Sequence, residues 1–113
     1  MARINYCVAK FSEAVLGMAA STEGPQGRLS RAMLVDLSTL RVEDFPPHLI
    51  PQFRYILAQT TRTPASDDKE SPQEKFRQMS TDEARSLIEK IVALFEDVLE
   101  HYYREQFERA RPS

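Results

Sequence analysis

The chain has 113 residues, with 15 basic and 17 acidic side chains and a net charge of −2. That length suits one domain with one core, and 42% hydrophobic residues is too many for a disordered polyelectrolyte. The absence of a basic excess disfavours general binding to nucleic acid or to an anionic membrane surface, because both draw affinity from neutralised phosphates. One cysteine, Cys7, cannot form an internal disulfide or a multi-cysteine metal centre, and its apolar neighbours mark it as a core thiol. With no continuous apolar stretch long enough for a signal core or a membrane span, the expected location is cytoplasmic.

Four helices are expected in a single domain over 1–113, at about 3–20, 25–40, 46–60 and 80–109. In the first, Ile4, Val8, Phe11, Val15 and Met18 alternate steps of four and three, which sets them on one stripe; Cys7 and Ala14 widen it. Gly24-Pro25-Gln26-Gly27 is a turn whose proline suits the first position of a second helix carrying Leu29, Met33, Leu37 and Leu40.

Asp44-Phe45-Pro46-Pro47 interrupts the pattern. Pro51 then reads as the start of a third helix with Phe53, Ile56 and Leu57, and the sequence leaves open whether 46–60 is one kinked helix or two pieces. Residues 61–71 contain no aliphatic side chain larger than alanine, so burial cannot offset their ordering and a mobile loop is expected. Pro72 to Gln78 reads as a helical turn that docks Phe76.

The last helix has the clearest signal. Ser80 and Glu83 stand at capping-box spacing, followed by Ala84, Ile88, Ile91, Phe95, Val98 and Tyr102 on one stripe, with Leu87 and Leu94 at its flank. The fold class is therefore all-α: a small four-helix, bundle-like domain with a long C-terminal helix.

That helix carries a second stripe. Val92, Leu99, Tyr103 and Phe107 lie roughly 60–140° around from the first, and a small bundle covers only one side of a helix. These four residues are the expected partner-binding surface, for a second copy or another protein, with the aromatic residues as anchors. The alternative cover is the first helix, through Tyr6 and Leu16. A second candidate is an anion site at the second helix start, where Gly27, Arg28 and Arg31 could meet a phosphate or carboxylate. Arg28 and Arg31 would also be the contacts if that helix read nucleic acid.

No catalytic, cofactor or metal constellation is evident. His48 and His101 fall in different elements, no serine has a nucleophile-elbow context, and Asp67, Asp68 and Glu70 lack the spacing and glycine of a calcium loop. Arg41 followed by His48 resembles the arginine–histidine pair of HEPN-type helical ribonucleases. The resemblance covers two residues and implies metal-independent RNA cleavage by them. Here they are seven positions apart, and Pro46-Pro47 between them prevents presentation from one helical turn. The reading that results is a non-catalytic interaction or regulatory module, self-associating through its last helix, with the profile of a small accessory protein of a bacterial operon.

Overall fold

The computed structural model describes residues 2–61 and 72–111. Five α-helices follow in order: α1 Ile4–Ala20, α2 Pro25–Arg31, α3 Ile50–Thr61, α4 Pro72–Gln78 and α5 Thr81–Ala110, with no strand among the described residues. The fold is all-α with a long C-terminal helix. No described helix is long and apolar enough to cross a membrane. The expected mobile loop at 61–71 lies outside the described residues, apart from Thr61, which ends α3.

α5 begins as its cap spacing demands: the Ser80 hydroxyl accepts a hydrogen bond from the Glu83 backbone N–H at 3.0 Å. It continues for 30 residues, about 45 Å of rod. α1 runs antiparallel to it. Phe11 stacks on Phe95 at 6.5 Å, while Gln26, just beyond α1, donates to the Met79 carbonyl and Thr81 hydroxyl at the start of α5.

Both stripes are rotated from their expected centres. On α1 the fully buried residues are Cys7, Phe11, Ala14 and Met18, whereas Ile4, Val8 and Val15 sit half-buried at the margin. Cys7 and Ala14 are small, and small side chains let helices approach closely, so they occupy the contact line and the branched residues flank it. On α5 the buried line is Ala84, Leu87, Ile91, Leu94 and Val98; Ile88 and Phe95 move to the edge.

The second helix departs from its expected span of 25–40. After Arg31 the backbone widens into a π turn over Ala32–Asp36, closed by the Leu37 N–H on the Ala32 carbonyl at 2.8 Å, and the chain then turns through 37–40. Steps of four drift around a 3.6-residue helix. The wider turn absorbs that drift and keeps Leu29, Met33, Leu37 and Leu40 all buried.

Residues 46–60 resolve into a 3₁₀ turn, Pro47–Leu49, that runs directly into α3. Pro46, Pro47 and Pro51 all fall at a helix start, where amides need no internal acceptor, so none breaks a ladder. Phe45, in the stretch read as an interruption, is 2% exposed. It meets Phe11 edge-on at 6.0 Å and stacks on Phe53 at 4.4 Å, linking α1 to α3 through the core. α4 makes nearly two turns and buries Phe76.

Candidate functional site

The exposed end of α5 comes first, because its own sequence leaves it half covered. Val92 and Leu99 are half-buried, while Tyr103 and Phe107 are 64% and 68% exposed. Tyr103 packs edge-on against Tyr102 at 5.2 Å. Neither residue expected as cover from α1 reaches across. The Tyr6 hydroxyl is hydrogen-bonded to Thr39 at 2.6 Å with the Arg3 guanidinium over its ring, and Leu16 is itself 70% exposed. Two ion pairs lie along this stretch: Arg104 with Glu100, and Arg111, just past the helix end, with Glu108 at 3.6 Å.

At the start of α2, Gly27, Arg28 and Arg31 have separate circumstances. The Arg28 guanidinium donates to the Glu23 carbonyl at 2.8 Å and the Ser21 carbonyl at 3.1 Å, closing the α1–α2 turn. Gly27 lies beneath the Glu23 side chain, so close that an added Cβ would meet Glu23 Oε2 at 2.5 Å. The helix start therefore faces the chain's own carboxylate. Arg31 is exposed and lines a cavity of about 700 Å³ with Gly17, Gln26, Ser30 and Arg77. The sequence showed three groups suited to an anion; the fold gives Arg28 to the turn and a carboxylate to Gly27.

Arg41 and His48 sit on successive 3₁₀ turns. Arg41 precedes Val42–Asp44, where its backbone N–H donates to Asp44 Oδ2 at 2.9 Å, and its side chain is exposed. His48 lies in Pro47–Leu49, and a cavity of about 260 Å³ beside it is lined by Leu49, Gln52, Asp97, Glu100, His101 and Arg104. Arg41 is not part of that wall.

What the fold brings together instead are the two histidines. The rings of His48 and His101 are 5.3 Å apart between centroids and tilted by 42°. His101 Nε2 is 3.0 Å from Glu105 Oε1, one turn further along α5. No spacing in the sequence marks this pair, since 53 positions separate its members. It exists because the turn before α3 docks on α5.

No family model, curated protein or solved structure matches the chain. Its chemistry has to be read from these side chains alone. Among the described residues, no group of three or more histidine, cysteine, aspartate or glutamate side chains is arranged to hold a metal ion. Cys7 offers no nucleophile: it is fully buried, its thiol donates to the Asp44 carbonyl at 3.3 Å, and burial pushes its pKa up to about 12. Among the described residues, the geometry supplies the apolar ridge on α5 and the small polar cavity that brings His48 and His101 together.

Proposed function

We propose that this protein is a non-catalytic helical interaction module that self-associates through the ridge Val92, Leu99, Tyr103 and Phe107. The observation that carries the reading is the exposure of Tyr103 and Phe107, 64% and 68%, on an uninterrupted helix whose inner line is buried from Ala84 to Val98 and which runs on past that core. Aromatic side chains left in water on a rigid rod bind well, because little rotamer entropy is lost when they are covered. A two-fold axis across the rod sets the same ridge on both sides and covers it with an identical surface. Arg104 and Glu100 already pair with each other beside it, which leaves the apolar residues to set the contact.

The rival uses of this chain are less well supported. Nucleic-acid recognition through Arg28 and Arg31 has Arg28 held by two backbone carbonyls. Ribonuclease chemistry through Arg41 and His48 has the two side chains on separate turns, with His48 against His101.

Light scattering over a range of concentrations tests the proposal. The wild type is expected to be a dimer. The double variant Tyr103→Asp with Phe107→Asp is expected to be a monomer of unchanged helicity by circular dichroism. A monomeric wild type, or a variant that remains dimeric, overturns it.

A further inference from the structure

We propose that His48 and His101 form a two-imidazole site for a borderline divalent transition-metal ion of the zinc, nickel and copper class. The chemistry starts from imidazole, which suits these ions, whereas calcium and magnesium prefer all-oxygen shells. The spacing fits. With metal–nitrogen bonds of about 2.05 Å and a tetrahedral angle, two imidazole ligands have ring centroids about 5.2 Å apart. The observed separation is 5.3 Å.

The surroundings also favour a cation. Asp97 and Glu100 line the same small cavity as the pair, and Glu105 Oε1 lies 3.0 Å from His101 Nε2. The one guanidinium there, Arg104, is itself paired with Glu100. An anionic ligand would meet this field with the wrong sign.

A third ligand is within reach. Two donor atoms on one tetrahedral zinc ion stand about 3.3 Å apart. His101 Nε2 and Glu105 Oε1 are already 3.0 Å apart, and Asp97 lies one turn to the other side of His101 on α5. The three do not converge with His48 as they stand. The two histidines therefore provide the anchor, and a rotated carboxylate and water complete the shell.

A bound ion would tie the turn before α3 to α5, joining elements that are otherwise held there by side-chain packing. His101 and Tyr103 are two positions apart, about 200° around the helix, so the ion would not cover the apolar ridge. The site is independent of self-association.

Calorimetric titration of the untagged full-length protein with zinc chloride and nickel sulfate tests this. One ion per chain is expected, and His48→Ala and His101→Ala are each expected to weaken binding by at least about tenfold. No saturable binding by the wild type, or either variant binding as tightly as the wild type, overturns it. A second measurement on the wild type avoids any folding defect of the variants. Substoichiometric nickel should broaden the His48 and His101 imidazole resonances first, and broadening centred elsewhere overturns the assignment.

Discussion

Arg3 and Asp44 are joined twice: the Arg3 guanidinium Nε donates to Asp44 Oδ1 at 2.8 Å, and the Arg3 backbone N–H donates to the Asp44 carbonyl at 2.8 Å. The start of α1 is thereby fixed to the 3₁₀ turn that delivers Phe45 to the core. The carboxylate is buried and also accepts from the Arg41 backbone N–H, so every bond it makes favours the ionised form. Its pKa lies below the ordinary value, chiefly through the Arg3 hydrogen bond, although burial pulls the other way.

A pH dependence follows with a definite sign. An unfolded aspartate takes up its proton near pH 4, and the folded one does so lower. The stabilisation is therefore complete above the unfolded value and is lost as pH falls through the folded one. Asp44→Asn should cost about 1–3 kcal/mol at pH 7, since it leaves a weaker acceptor for Arg3 and Arg41. Urea denaturation of both proteins from pH 7 to pH 2.5 should show the difference shrinking below about pH 4. A difference that stays constant to pH 2.5 would remove the ion pair as its source.

The aromatic contacts of Phe45 make a second prediction. Phe45→Ala opens a cavity between Phe11 and Phe53, and large-to-small changes of this kind cost about 3–5 kcal/mol. Ala14→Leu should also destabilise, by about 1–3 kcal/mol, because the α1 contact line has no space for a branched side chain. Both are read from chemical denaturation midpoints. A neutral Ala14→Leu would mean that the branched residues, and not the small ones, set the closeness of α1.

These two positions also show what a sequence can and cannot reveal. Helices were legible wherever apolar steps of three and four repeat, and the start of α5 was legible because Ser80 carries its own chemistry. The exact face was not. Periodicity marks an apolar stripe but not its centre: packing put the small Cys7 and Ala14 at the contact line of α1, and turned Leu87 and Leu94 into that of α5 in place of Ile88 and Phe95. Phe45 was missed because its prolines hide it from any periodic pattern, although it holds two helices together. The π turn after Arg31 has no local signature; it is a compromise between helical drift and four leucine-type anchors. At the candidate sites, the exposed ridge was legible as surplus apolar surface on one helix. The bonds of Arg28 to carbonyls and the meeting of His48 with His101 were not, because each is closed by chain folding between distant or non-periodic positions.

Cys7 makes a third prediction. A thiol pushed up to about 12 and enclosed in the core has almost no thiolate at neutral pH. It should react with a disulfide reagent only when the chain opens. The labelling rate at pH 8 should be low in buffer and rise with urea in step with the fraction unfolded. Rapid labelling in buffer would contradict the burial of Cys7 between α1 and the Asp44 turn.

The last prediction concerns heat. If the α5 ridge is covered by a second copy, dissociation accompanies unfolding and the melting temperature depends on concentration. Each tenfold increase in protein adds about 1.4 kcal/mol to the favoured dimer. For a folded unit of twice this chain's length, that corresponds to about 3–6 °C. The Tyr103→Asp, Phe107→Asp variant should melt at one temperature whatever its concentration, because aspartate at both positions places like charges against each other across the two-fold axis. Scanning calorimetry over two decades of concentration separates the cases. A wild type whose melting temperature does not move unfolds as a monomer, and Tyr103 and Phe107 then stand in water without a second copy to cover them.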